Sequence, residues 1–519
     1  MKQRHKFYAL ALMGALALTA RAQTSYNAGI VMENQLNGTA RFVGMGGAMS
    51  ALGGDLSTMS TNPAGIGLYR SSDVALTIGW FNPSSKANFN GESHKDNLSK
   101  FSFDQIGFVY SSKIGNRTAV RFLNFGFNYR KVANFNSKFQ MGGLSPNNES
   151  LSRSMVGSLV ALGDTPEDFN AVLDDQTSNP FSNSHYGWLN VMGGMTGFVT
   201  GDETSGDFYY WNADRIGFRS ENRGGISAYD FNVALNVKDR VYLGLTIGVY
   251  DVDYKRYSSY YEDLMGSTDR PTMNLENWYH LDGSGLDAKF GIIFRPLEYS
   301  PLRIGLAVHT PVWYNLSDVF SSCMTMYGLE GRDWSVDTDG YVDWYDYNLR
   351  TPWKFNLSAA YTFGQNVAVD AEYEYADYSS AKFRDTGGYN MDGANQTIRE
   401  DLKGVSSFRI GLEARVLDDL SLRVGYNYMG ALYDKNAFKF NDPQGINTDV
   451  DFMNNFEAHN VSLGLGFRFG GFYADMAYVY THQKADFHPY TNYVFDEPDP
   501  TAGVTHANNR AVLTLGYRF

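Results

Sequence analysis

The 519-residue sequence predicts an all-β fold, a transmembrane antiparallel β-barrel of about 14 strands with an N-terminal plug, or hatch, inside its lumen. Three observations predict it. About fourteen runs of roughly 10–15 residues alternate apolar and polar side chains, the length and period of a tilted bilayer-crossing strand. The connections between these runs alternate between very short and long. Ahead of them lies a glycine-laden segment that suits neither a lone helix nor a strand.

Residues 1–22 carry Lys2, Arg4, His5 and Lys6, then an apolar stretch from Tyr8 to Ala20, then Ala20-Arg21-Ala22. This is the layout of a secretory signal with a small-residue cleavage site, so the expected domains are 1–22 signal peptide, 23–71 plug and 72–519 barrel. Beyond the signal no apolar run reaches the ~18 residues of a transmembrane helix. The mean hydropathy of −0.34, with 15% aromatic residues and 53 glycines, suits a wall of alternating polarity. Cys323 is the single cysteine, which excludes an internal disulfide, and a net charge of −13 argues against nucleic acid as a partner.

The strand runs fall at about 72–82, 101–113, 117–131, 225–237, 240–255, 283–296, 301–315, 350–364, 365–378, 404–416, 418–431, 458–470, 471–484 and 506–519. In Val241 to Val249 one face is Val241, Leu243, Leu245, Ile247 and Val249, and the other Tyr242, Gly244, Thr246 and Gly248. The first face suits lipid and the second a lumen. Tight turns at Ile114-Gly115-Asn116, Lys238-Asp239, Gly364-Gln365 and Gly470-Gly471 separate long connections, the largest spanning 132–224. Short turns belong on the periplasmic side and long loops outside. The final Leu513, Leu515, Tyr517 and Phe519 share one face, a pattern that resembles the C-terminal signal read by bacterial barrel-assembly machinery.

Within Arg41–Gly67, glycine-rich sequence around Gly44 and Gly47, the Gly47-Ala48 step, Asp55 with Ser57, and then Asn62-Pro63-Ala64-Gly65 follow a signal peptide in that order. This stretch resembles the hatch of the FadL/TodX family of outer-membrane transporters for fatty acids and hydrocarbons. The resemblance implies passive uptake of hydrophobic small molecules through a plugged barrel in the outer membrane of a Gram-negative bacterium. Its expected partners are an apolar ligand, outer-membrane lipid and lipopolysaccharide, and the assembly machinery through Phe519; a monomer is expected. The plug motif is then Gly44, Gly47, Asp55, Asn62, Pro63, Ala64 and Gly65. Asn62 would fasten the turn, Pro63 stiffen it, and Gly65 adopt a backbone angle other residues resist.

Relatives are described as kinking their third strand to open the wall. By strand order, Asn124, Gly126 and Asn128 are the positions here where pairing could break. The long loop holds a helix-like stretch from Leu151 to Gln176, then an apolar run from Tyr186 to Val199. The run offers Trp188, Leu189, Met192 and Phe198 either as a greasy groove or as a roof over the barrel. It departs from the best-known fatty-acid members, whose capture region lies in later loops.

The lumen parity also collects charge, including Lys289, Arg303, Glu372, Arg409, Glu413, Arg423 and Asp475, mostly as expected cross-strand partners. Arg303 and His309 are candidates for holding a polar headgroup. Asp337 to Asp343 places carboxylates at offsets that calcium loops use, but lacks the closing glutamate and the flanking helices, so a solvated acidic loop is expected. No metal, cofactor or catalytic set is assigned, and an enzyme is not expected. Two other readings remain open: uptake of haem or another planar hydrophobe, and a surface interaction or assembly barrel with its plug permanently shut.

Overall fold

The structure is a computed structural model that describes residues 23–266, 270–338, 344–494 and 497–519; the expected signal peptide, 1–22, and 339–343 of the acidic loop lie outside the described residues. Among the described residues fourteen antiparallel wall strands follow one another. They are β1 (Asp73–Phe89), β2 (Lys100–Lys113), β3 (Val120–Asn134), β4 (Asn212–Val237), β5 (Val241–Met265), β6 (Thr272–Phe294) and β7 (Arg303–His309, continued by Trp313–Leu329). The second half is β8 (Tyr345–Arg350, continued by Lys354–Phe363), β9 (Val367–Asp377, continued by Lys382–Asp385), β10 (Gly404–Arg415), β11 (Leu420–Met429), β12 (Phe452–Phe469), β13 (Phe472–His488) and β14 (Ala502–Arg518).

β14 pairs with β1 from Asp73↔Arg518 to Asn88↔Gly503, and Ser72 and Phe519 exchange two further backbone hydrogen bonds. That pairing closes the cylinder and removes the open edges a bilayer could not hydrogen-bond. The predicted alternation holds. Val461, Leu463, Leu465 and Phe467 point outward and are exposed, while Ser462 between them is buried. Between the paired Val237 and Val241, Lys238 and Asp239 both take positive φ, 54° and 57°, and Arg240 N donates to the Val237 carbonyl (3.1 Å), a tight turn whose twist matches the flanking strands.

Several strands run further than the sequence pattern suggested. β4, β5 and β6 extend well past the bilayer-length segments, so 212–224 and most of 256–282 are strand rather than loop. In β7 and β8 the facing breaks at Thr310-Pro311-Val312 and Thr351-Pro352-Trp353 interrupt the ladder, because proline cannot donate to it. The break is mended locally: Val312 N donates to Thr351 Oγ1 (2.8 Å) and Thr351 N donates to the Val312 carbonyl (3.1 Å).

The N-terminal segment packs inside the barrel: α2 (Ala40–Gly44) and two 3-10 turns, Leu56–Ser60 and Pro63–Leu68, fill the turn-side half, while α1 (Ser25–Met32) lies above them against residues of the long connections such as Asp401 and Tyr433. At the other end α3 (Leu151–Leu162), α4 (Pro166–Leu173) and α5 (Trp188–Thr196) cover the lumen. The helix-like stretch is thus two helices. Gly163 ends α3 at a left-handed φ of 84°, and Thr165 with Asp168 forms a capping box ahead of Pro166 in α4. Trp188 N and Gly187 N donate to the Gly445 and Pro443 carbonyls, docking α5 on the inward-folded segment between β11 and β12. A last helix, α6 (Asp392–Asp401), lies between β9 and β10.

Candidate functional site

Several backbone polar groups of the plug meet a wall side chain, and these bonds hold it in place. Asp370 Oδ2 accepts from Ala51 N (3.1 Å) and Leu52 N (2.8 Å), Arg303 Nη1 donates to the Leu52 carbonyl (2.6 Å), and Thr514 Oγ1 accepts from Ala40 N (2.7 Å). Arg41 makes a bidentate pair with Glu413 (2.8 Å for each bond), and Glu413 also accepts from Arg423 (2.6 Å), itself paired with Asp475 (2.6 Å). Bidentate guanidinium–carboxylate geometry fixes orientation as well as charge. Most of the inward charges therefore serve one another or the plug. Lys289 with Asp287 and Asp230, and Arg409 with Glu372 and Glu374, follow the same pattern.

The motif residues each have a place in this packing. Asp55 Oδ1 accepts from Ser57 N (2.8 Å) and Oδ2 from Thr39 Oγ1 (2.7 Å), tying the start of α2 to the first 3-10 turn. Asn62 Oδ1 accepts from Ala64 N (3.2 Å), while its Nδ2 donates to the Ile292 carbonyl of β6 (3.4 Å). Pro63 opens the second 3-10 turn, Ala64 is fully buried, and Gly47 takes a φ of 82°. Gly65 departs from expectation, since its φ is not positive. A Cβ there would stand 2.5 Å from Thr58 Oγ1, so Gly65 is required for space.

Wall glycines complete the fit. A Cβ on Gly244 would lie 2.2 Å from Pro63 C, one on Gly425 2.1 Å from Gly46 N, and one on Gly411 2.4 Å from the Met45 carbonyl oxygen. Gly44 meets Gly464 in the same manner, a Cβ on either lying 3.2 Å from the other's Cα. Alternating small residues on the lumen parity are what let plug backbone touch wall backbone.

The wall-opening positions need correction. β2 and β3 pair without interruption through Ser111↔Asn124, Val109↔Gly126 and Gly107↔Asn128. Asn124 Nδ2 donates to the Ile66 (2.7 Å) and Tyr69 (3.0 Å) carbonyls, and a Cβ on Gly126 would strike Met59. Asn124 and Gly126 thus seat the plug, while the Asn128 amide is buried without a hydrogen-bond partner among the described residues. The ladder stops beyond Gln105↔Arg130. Lys100 to Phe103 pair with β1 alone, and the Ser137–Leu144 continuation of β3 pairs with β4 alone. The segment between is bridged by the Lys100 Nζ to Asn136 Oδ1 bond (2.7 Å), leaving a slot in the wall without ladder bonds among the described residues.

Beside that slot, between plug and roof, lies a cavity of about 470 Å³. Tyr26 of α1, Phe139, Phe218, Tyr254, Phe452 and Phe487 give it an aromatic lining. The Phe139, Phe218 and Phe487 rings meet at centroid distances of 4.7 and 4.8 Å. A smaller cavity of about 140 Å³, lined by Lys289, Lys354, Glu374 and Arg409, lies nearer the plug.

The candidate ligand residues of the long loop are elsewhere. Trp188, Met192 and Phe198 are buried in the roof core with Met155, Leu159 and Phe169, and Leu189 packs against that core. Trp188 Nε1 donates to the Phe181 carbonyl (3.0 Å). Of the two readings of this stretch, the roof is the one formed. Arg303 is committed to the Leu52 carbonyl, and His309 Nε2 donates to the Thr61 carbonyl (2.8 Å) while lining the smaller cavity. Sequence reading missed the aromatic lining because Phe139 and Phe218 were assigned to a loop; their alternation with Lys138, Gln140 and Arg219 was the available signal.

The strands also assemble Asp253, His280 and Asp282 on the outer face of β5 and β6, their ligand-type atoms within 4.8 Å of one another. Asp253 and Asp282 are direct cross-strand partners, and His280 Nε2 hydrogen-bonds to Asp253 (3.1 Å), relieving two opposed carboxylates.

Fold and site together define a plugged, closed β-barrel of fourteen strands whose chamber, lined by both aromatic and charged side chains, lies behind a gap in the wall's ladder. Among solved structures the chain is similar to a Pseudomonas aeruginosa FadL homologue, at 12% identity and a TM-score of 0.51, over 94% of this chain and 99% of that one. It is also similar to a deltaS2 mutant of the TodX monoaromatic hydrocarbon channel (12% identity, TM-score 0.50, 93% and 98% covered). The Pseudomonas putida toluene transporter TodX aligns at 11% identity and a TM-score of 0.47, over 94% and 99%. The chain thus has the fold of the FadL-type channels. No protein-family profile matches it, and no curated protein sequence does either.

Proposed function

We propose that this protein is an outer-membrane transporter for passive uptake of hydrophobic small molecules. The observation that carries the reading is the aromatic chamber enclosed between plug and roof, set directly against the unpaired slot between β2 and β3. An apolar solute gains from leaving water for such a chamber, and its entry requires no energy coupling. The slot gives it a sideways route into the bilayer, and the plug around Asn62–Gly65 closes the route through the lumen. The names of the FadL-type channels support the same reading.

The test is uptake of radiolabelled toluene and of a long-chain hydrocarbon by cells expressing the protein in an outer membrane that otherwise lacks such a channel. The wild type should raise the initial rate. Asn62→Ala and Pro63→Ala should lower that rate while the barrel still assembles, as judged by its heat-modifiable migration. Equal uptake with and without the wild-type protein would overturn the proposal.

A further inference from the structure

We infer that the chamber takes an uncharged hydrophobic molecule and discriminates against a carboxylate; the inference rests on the uptake function proposed above. Among the described residues, four cations line the chamber, Lys138, Arg256, Lys439 and Arg510, against five carboxylates, Glu33, Asp104, Asp318, Asp449 and Asp451. The cations are already engaged. Arg256 donates from Nη1 to Asp449 Oδ2 (2.6 Å) and from Nη2 to Asp451 Oδ2 (2.5 Å).

Lys439 Nζ spends its three donors on the Asp449 carbonyl (2.5 Å), Asp449 Oδ2 (3.1 Å) and the Asp451 carbonyl (3.3 Å). Arg510 binds the Leu36 carbonyl (2.9 Å), Asp104 Oδ2 (2.8 Å) and the Asn37 side chain. Lys138, at the rim, is the half-exposed one and stands 3.9 Å from Glu221.

An entering carboxylate would have to displace one of these acids or remain unpaired beside them, and an uncompensated charge in a site removed from water is costly. A neutral molecule meets no such obstacle. It keeps contact with the aromatic lining and leaves the internal ion pairs intact. The same excess of carboxylates works against haem, through its propionates.

Isothermal titration of the purified full-length barrel with 1-octanol and with octanoate, at about pH 8 where the acid is ionised, separates the possibilities. Octanol should bind at least tenfold more tightly than octanoate. Asp449→Asn, which frees part of Arg256 and Lys439, should narrow that ratio at least tenfold by improving octanoate. Asp451→Asn, which touches Arg256 through a different residue, serves as the second variant if the first fails to assemble. Octanoate binding as tightly as octanol to the wild type would overturn the inference and leave the uptake function standing. Failure of both to bind would overturn the uptake function and the inference with it.

Discussion

Replacing Gly244 by alanine places a methyl group where the plug backbone already is. The added Cβ would lie 2.2 Å from Pro63 C and 2.4 Å from Ala64 N, over an ångström inside ordinary contact distance, and both obstacles are main chain. No rotamer change can relieve it, so the second 3-10 turn must move away from β5. Overpacking of this kind costs about 1–3 kcal/mol. Gly425→Ala does the same at a separate contact, its Cβ 2.1 Å from Gly46 N and 2.3 Å from Met45 C. Neither substitution alters the lipid face, and alanine suits a strand better than glycine.

At about 2 kcal/mol each, either variant should shift plug docking roughly 30-fold toward release. The two contacts lie on different strands and different parts of the plug, so the double variant should approach 1,000-fold by additivity. Single-channel recording in planar bilayers reads the release as ion leak. The wild type should be nearly silent, each single variant should flicker, and the double variant should open for long periods. Wild-type conductance in the double variant, with the barrel assembled, would refute the view that these wall glycines exist to seat the plug.

Chamber and roof can be separated by mutation. Phe452→Ala, which removes a ring from the chamber, should weaken binding of a hydrophobic ligand about tenfold, whereas Met192→Ala should leave affinity within twofold while destabilising the roof by about 2–5 kcal/mol. Calorimetric titration and thermal melting of the two variants check this, and a large affinity loss in Met192→Ala would return the ligand site to the long loop. Burial pushes the Asp401 carboxyl of α6 up to about 7, where it accepts a 2.5 Å bond from Ser25 of α1. The unfolded group titrates near 4, so its buried protonated form costs nothing below about pH 4 and docking weakens as pH climbs from 4 through 7, by up to about 4 kcal/mol. Limited proteolysis of the N-terminal segment should therefore be faster at pH 8 than at pH 5.5 in the wild type. The difference should shrink in Asp401→Asn, leaving the part due to the buried Glu33 carboxyl, which burial also raises, and an equal pH response in both proteins would contradict the assignment.

The barrel was legible because its wall obeys a rule of period two that burial enforces: Ser462 must face in if Val461 and Leu463 face lipid. The plug was legible from its glycines and the Asn62-Pro63 turn, whose capping role follows from local chemistry. What escaped is what depends on long-range register. Whether Asn124 opens the wall or grips Ile66 is decided by which part of a segment 55 or more residues away lies opposite it, and no local pattern encodes that. Gly65 was misread because a glycine signals either an unusual φ or a close neighbour, and here the neighbour is Thr58. The charged residues from Lys439 to Asp451 looked like surface loop, and only the inward fold of that segment turns them into the wall of a chamber.

The short run from Glu33 to Asn37 borders both the large chamber and the smaller charged one. It is a single thickness of polypeptide, anchored to β3 through Asn37 Nδ2 on the Lys131 carbonyl (2.8 Å) and to β8 through Asn34 Oδ1, which accepts from Lys354 (2.9 Å). A cargo molecule resting on one side of this diaphragm leans on the same backbone that leads, three residues later, into α2 and the Arg41 clamp. Occupancy of the upper room and the tightness of the lower seal are therefore properties of one connected strip of chain.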